Sequence, residues 1–439
     1  MKIENSKIFI KKRSLPEVLT YIIFLMPFFL SFFLEFLKLP SLIKYFIDLC
    51  WLGVLILLIL VKRVYFKKDI APAVFIVLTF FVTALIVYLF NFQSPFYFFW
   101  GLRNNLRFYV AFLAFTVYFK EDDINSMIKF LDITFWVNAV VAFLQYFVGF
   151  KQDNLGGIFG VEKGCNAYMI IFLAIITIKS VLNFFNDKES GISCFTKCGI
   201  ALLISVMAEL KFFFVMFMLI LIVASVITKF SWKKVVLYII SFFFLMVASV
   251  LIVEIFGENM SIDFENLLKL VFSSNYSSSR DLGRFTAIPT ISNRFLIEPL
   301  QKLFGFGLGN CDTSAFDFCN TPFYRSYSYL NYNWFSSAFL FLETGYVGLT
   351  LYLLFFVAIF IISYRKLKQD NSNKLFCQMG MIMSIVCFIL TFYNSSLRME
   401  TGYIAFFILA LPFVDSGINE PQELNNKQIN SITGGNDCD

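Results

Sequence analysis

Apolar runs close to the length of a bilayer-crossing helix recur from one end of this chain to the other, and few architectures accommodate them. Segments such as VLILLILV (54–61) and FFFVMFMLILIVASVI (212–227) are apolar on every side. A helix with that pattern is buried in a large core or in lipid, and a span needs about 20 such residues. An outer-membrane barrel would instead show segments of about 10 residues with alternating polarity. Only 15% of the 439 residues are charged, against about 25% in a soluble domain. The fold class is therefore an all-α polytopic membrane protein. The chain contains no His, which removes Ser-His-Asp and Cys-His triads and His-ligated zinc or haem. Its net charge of +6 gives no sign of a nucleic-acid partner.

Charge placement orients the bundle. Five Lys/Arg precede the first apolar run, so the amino terminus is expected in the cytoplasm. That run continues to about Glu35 with no small-residue cleavage site, which favours a retained span over a cleaved signal peptide. Twelve spans follow: 18–36, 43–61, 72–91, 103–119, 128–149, 166–185, 198–210, 212–228, 235–256, 334–363, 375–393 and 402–415. They divide the chain into spans one to nine (1–256), a large extracytoplasmic loop (257–333), spans ten to twelve (334–415) and a disordered cytoplasmic tail (416–439). The expected cytoplasmic side then holds 22 Lys/Arg and the outer side 14, six of them in the long loop. Merging the pair at 198–228 would invert everything downstream and place RKLKQ outside, against the charge rule.

The long loop alternates apolar and charged residues, so it is expected to form short amphipathic helices lying on the bundle. It carries Arg280, Asp281, Arg284, Arg294, Glu298 and Lys302. In helical conformation Arg280 and Arg284 share a face, as do Arg294 and Glu298, although Pro289 and Pro299 divide any such helix. Two adjacent guanidiniums suit a diphosphate, whose oxygens their planar forks match; a solvated loop surface is the plainer alternative. The run Gly305, Gly307, Gly309 lacks the flanking strand and helix of a nucleotide loop and reads as a turn bringing backbone close to a neighbour.

A second cluster gathers at the expected outer boundary: Arg103, Arg107, Glu162, Lys163, Asn166, Glu209 and Lys211. Such residues snorkel to headgroups or face a polar cavity. Together they would make the outer mouth of the bundle cationic, fit for a lipid-linked diphosphate. A disulfide between Cys311 and Cys319 is open to an oxidising outer face.

Three segments, in order, resemble the bacterial O-antigen polymerase and ligase superfamily. GGIFGVEKGCNAYM (156–169) is similar to the family's glycine-rich loop leading into a helix that opens with Asn, here Asn166. The stretch from Ser277 to Asn310 resembles its Ser/Arg outer loop followed by Gly-x-Gly, and includes Arg294 and Gly305. NYNWFSSAFLFLETGYVG (331–348) is similar to its Asn-aromatic stretch followed by Glu-x-Gly-x-x-Gly, with Glu343, Gly345 and Gly348 in those places. Ligases of the superfamily carry a His just before this third segment; here Asn331, Tyr332, Asn333 and Trp334 occupy it, which favours the polymerase branch over the ligase.

The resemblance implies a GT-C-like membrane glycosyltransferase that joins undecaprenyl-diphosphate-linked oligosaccharide repeats into O-antigen or capsule on the outer face of the cytoplasmic membrane. It implies no metal, nucleotide sugar or other cofactor. A chain-length regulator and a flippase are candidate partners. On that reading Arg280 and Arg284 stabilise the leaving diphosphate, and Asp281 or Glu298, with Glu343 third, accepts the hydroxyl proton. Arg294, Lys211, Arg103, Arg107, Lys163, Asn166, Asn333 and Glu343 bind substrate. A flippase for the same lipid is the rival reading, less suited to charges gathered at one face.

Overall fold

The computed structural model describes residues 13–60, 69–91, 93–229, 231–256, 281–314, 316–369 and 372–414. Arg280, the first part of the long loop and the expected tail at 416–439 lie outside them. The described residues form helices and turns and contain no strand. The twelve apolar segments fall on helices, and among the described residues seven helices are long and apolar enough to cross a membrane. The chain is an all-α polytopic membrane protein.

The helices in order are α1 (Leu15–Ser31, prolonged by a π-turn at Phe32–Phe36), α2 (Phe46–Leu60), α3 (Ala71–Phe90), α4 (Pro95–Tyr118), α5 (Glu121–Val148), α6 (Asn166–Phe185), α7 (Gly191–Met207), α8 (Lys211–Ile227) and α9 (Trp232–Phe256). Among the described residues of the long loop, three short ones follow: α10 (Ala287–Arg294), α11 (Pro299–Phe304) and α12 (Pro322–Tyr327). The last are α13 (Ser336–Leu367), α14 (Lys374–Tyr393) and α15 (Gly402–Ala410). Several outrun the apolar segments that announce them. α5 opens on Glu121, Asp122 and Asp123, acids that favour a helix amino end. α7 starts seven residues before its apolar run, where Ser190 accepts from the Ser193 amide. The 198–228 segment is two helices, not one, parted at Ala208–Leu210 where Glu209 takes a φ of +55°.

α6 lies at the centre, with 89% of its most apolar window buried, whereas α3 buries only 22% and faces outward. The short α15 is buried along its whole length and is fixed by aromatic contacts: Phe407 on Phe24 at 4.7 Å, Tyr403 on Phe108 at 5.0 Å. Such tilted and edge-on pairs add about 0.5–1.5 kcal/mol each beyond the area they bury. This phenylalanine-rich packing accounts for much of the unusual composition.

α13 carries a break. Gly345 has φ 60° and ψ −161°, a conformation outside the helix and accessible to glycine. The carbonyls of Leu342 and Glu343 that the break frees accept from the amides of Phe306 and Gly307, both at 2.9 Å. The Gly305–Gly309 run thus is a turn pressed on a neighbour, with φ values of +72°, +101° and +86° at its glycines. A Cβ at Gly305 would meet the Glu343 backbone, and one at Gly309 the Tyr97 carbonyl.

Connections alternate between two ends of the bundle. At one end, Lys366 pairs with Asp69 (3.1 Å), Asn373 donates to Glu121 (2.8 Å) and Asn186 donates to Gln378 (2.9 Å). Lys179 and Lys197 share the Asp132 carboxylate nearby. At the other end the segments 37–45, 149–165, 208–210, 281–335 and 394–401 meet around a cavity.

Candidate functional site

The cavity measures about 470 Å³. Its apolar wall is Pro27, Leu30 and Leu34 of α1, and its polar lining includes Lys44, Asp153, Lys163, Asn166, Arg284 and Glu400. The loop after α5 supplies one side. Gln145 grips it by accepting from the Gly157 amide and donating to the Gly157 carbonyl, both at 2.7 Å. Asn138 accepts from Ile158, and Glu35 accepts from Val161 at 2.9 Å. Asn166 opens α6 and donates to both Asp153 Oδ1 and the Ala208 carbonyl at 3.0 Å, tying this loop to the α7–α8 turn. Lys163 is exposed at the rim.

Arg284 sits on the opposite side, buried, with its guanidinium 3.9 Å from the centre of the Tyr393 ring. Phe212 stacks on the same Tyr393 at 3.9 Å, so α8, α14 and the long loop meet there. Lys211, next to Phe212, pairs with Glu209 at 3.3 Å. Guanidinium over an aromatic face keeps its charge while shedding water, which suits it to bind an anion that arrives partly desolvated.

A chain of buried charges runs from this cavity along α4. Glu400 Oε2 accepts from the Tyr168 hydroxyl at 3.0 Å, and its Oε1 faces Arg107 at 4.0 Å. Arg107 Nη2 donates to the Arg398 carbonyl at 2.7 Å. Arg398 lies over the Phe339 ring and pairs with Asp312 at 3.8 Å; burial works against its charge, and Asp312 with Glu343 offsets part of that. Asn104 donates to Asp312, and Arg103 joins Asn104 to Asp48 at 2.6 Å. Each member of this row would be costly to bury alone.

The expected site residues therefore divide. Lys163, Asn166 and Arg284 line the cavity. Arg107 is one contact away through Glu400, and Lys211 adjoins through the α7–α8 turn. Arg103 belongs to the charge row but not to the cavity lining. Asp281 is buried without lining the cavity, and Asn333 stands in the 3-10 turn Tyr332–Trp334, from which Trp334 lines it.

Several sequence expectations are corrected. Arg294 and Glu298 do not share a helical face: Arg294 ends α10 and Glu298 caps α11, because Pro299 holds Glu298 extended at ψ 143°. Both are exposed, and Arg294 donates to the Tyr329 hydroxyl at 3.4 Å. Arg284 lies in a turn before α10 and not on a helix. Glu343 is fully buried, and its Oε1 accepts from the Cys311 amide at 3.1 Å, so its carboxylate clamps the glycine turn to α13. Cys311 is a free thiol packed under that clamp and forms no disulfide; burial pushes its pKa up.

Sequence reasoning missed Lys44, Tyr168, Tyr393, Asp48, Asp312, Arg398 and Glu400. For Arg398 and Glu400 a signal existed: SSLRMET places two charges in a short turn between apolar runs, on the side that the charge rule puts outside. The partnership of Asp48 with Arg103 spans 55 residues and had none.

Cys165 also lines the cavity, but burial pushes its thiol to about 12, so it supplies no nucleophile near neutrality. Among the described residues no group of three or more His, Cys, Asp or Glu is placed to hold a metal ion. No family model matches the chain, and no curated protein matches it in sequence.

Proposed function

We propose that this protein joins lipid-diphosphate-linked oligosaccharide repeats, the cavity holding the diphosphate of the growing chain. The observation that carries the reading is the joint presence of Arg284, Lys163 and Lys44 around a cavity whose other wall is the apolar face of α1. The carboxylates of Glu35, Asp153, Glu162 and Glu400 are interspersed with these cations, so the lining is of mixed charge and not the uniformly cationic mouth expected from sequence. A diphosphate needs two or more cations and a dry surround, and its polyprenyl tail needs a greasy exit. Arg284 stabilises the negative charge that accumulates on the diphosphate as the glycosidic bond to it breaks. Such preorganised stabilisation is often the largest catalytic contribution. The energy of transfer comes from that glycosyl diphosphate bond, so the step needs no nucleotide sugar.

The sidedness of the charges supports twelve spans with both termini in the cytoplasm and the cavity on the outer face of a bacterial cytoplasmic membrane. The resemblance of the segments around Asn166, Arg284 and Glu343 to the O-antigen polymerase and ligase superfamily supports the polymerase branch. The test is elongation by purified protein in lipid nanodiscs, using undecaprenyl-diphosphate-linked repeats extracted from a strain deleted for this gene. A ladder of polymer is expected, with Arg284→Ala leaving single repeats. Translocation of the lipid without any elongation would reject the reading in favour of transport.

A further inference from the structure

We infer that Glu400 is the carboxylate that takes the proton from the attacking sugar hydroxyl, an assignment that rests on the polymerase reading above. The three carboxylates that the sequence offered as proton acceptors do not line the cavity: Asp281 and Glu343 are buried outside its lining, and Glu298 is exposed on the loop. Four other carboxylates do line it: Glu35, Asp153, Glu162 and Glu400.

Their partners separate them. Glu35 holds the Val161 amide, and Gly160 packs against its carboxylate, so it is part of the loop's frame. Asp153 is exposed, and its Oδ1 accepts from Asn166 as part of the tie between this loop and the α7–α8 turn. Glu162 is exposed at the rim, where nothing fixes its direction. Glu400 alone among these four is held from two helices, by the Tyr168 hydroxyl of α6 at 3.0 Å and by Arg107 of α4 at 4.0 Å. The Arg107 contact is too long for a good hydrogen bond, which leaves an Oε1 lone pair for a hydroxyl arriving from the cavity.

Glu400 and the Arg284 platform belong to one turn. Tyr393, on which Arg284 stacks, is followed by Asn394 and Ser395, then Met399 and Glu400, all on the cavity wall. The turn thus presents a cation on one side, for the departing diphosphate, and a carboxylate on the other, for the incoming hydroxyl. In the step, the acceptor oxygen forms a bond to the anomeric carbon. The bond from that carbon to the phosphate oxygen breaks, and its electron pair leaves with the diphosphate. The hydroxyl proton passes to Glu400 and then to water. Tyr168 and Arg107 act as positioning residues.

The experiment is the same elongation assay with saturating lipid-linked repeats, alongside binding of undecaprenyl diphosphate alone. Glu400→Gln keeps the shape and removes the base, so turnover is expected to fall by at least about 100-fold while undecaprenyl diphosphate affinity stays within about threefold. Tyr168→Phe, which frees one oxygen, is expected to lower turnover about tenfold with an unchanged KM. Turnover of Glu400→Gln within about threefold of wild type would overturn the assignment, and so would equal losses in turnover and in diphosphate affinity. If Glu400→Gln does not yield a monodisperse protein, Glu400→Asp decides: it keeps the charge but withdraws it by one methylene, and wild-type turnover there rejects the assignment. If the wild-type protein does not elongate at all, the polymerase reading itself is what fails.

Discussion

At the scale of single residues, Arg284 offers the clearest test of the proposal that the cavity holds an anion. Arg284→Lys keeps the charge but loses the planar stack on Tyr393 and the forked donors. Elongation is expected to fall about 10-fold in Arg284→Lys and about 100- to 1,000-fold in Arg284→Ala, measured as turnover at saturating lipid-linked repeat. Two buried thiols, one on the cavity wall and one under the Glu343 clamp, make a chemical prediction. Burial raises the pKa of both Cys165 and Cys311, and a thiol reacts as its thiolate, so neither forms much thiolate below its raised pKa. Folded protein at pH 8 should leave both unmodified by iodoacetamide, while unfolded protein takes up the reagent at both; mass spectrometry of the two peptides reads the difference. Residue types were readable from the sequence here, but residue roles were not. Glu343 stands in a Glu-x-Gly motif and invites a catalytic assignment, yet it is fully buried away from the cavity lining and its Oε1 accepts from the Cys311 amide. That amide lies 32 positions away, a distance no local pattern encodes.

Among the elements, the break in α13 carries the most weight. Gly345→Ala should cost about 1–3 kcal/mol from its backbone conformation alone, with a further loss because the added carbon meets the Leu303 carbonyl. A lower thermal midpoint in detergent would show it. Glu343→Gln keeps an acceptor for the Cys311 amide, whereas Glu343→Ala leaves that amide buried and unsatisfied, at about 1–3 kcal/mol. The expected order of thermal midpoints is wild type, then Gln, then Ala. Substantial elongation by Glu343→Gln would mark the residue as structural. The glycine run before it was legible as a tight turn, because three glycines at alternate positions have few other uses. Its partner was not, since the freed carbonyls appear only once the helix is seen to stop at Gly345.

Over the whole molecule, helix positions follow from composition, because residues that avoid water must recur at the period of the bilayer. The way the helices cluster does not follow, since α3 and α6 are both apolar throughout while one faces outward and the other is central. Sidedness was read from Lys and Arg alone and leads to a direct prediction. Cysteines introduced at Lys163 and Ser395 should react with a membrane-impermeant maleimide in spheroplasts. Those at Ser190 and Gln369 should react after lysis and not before. The reverse pattern would turn the cavity toward the cytosol and remove the polymerase reading.

The turn between α14 and α15 has a practical meaning for anyone who wishes to redirect this protein. Because Tyr393 and Glu400 flank one short turn of chain, shifting that turn moves the Arg284 platform and the Glu400 carboxylate together. On the polymerase reading, exchanging residues 394–401 should alter which hydroxyl is presented while leaving the apolar wall along α1 unchanged.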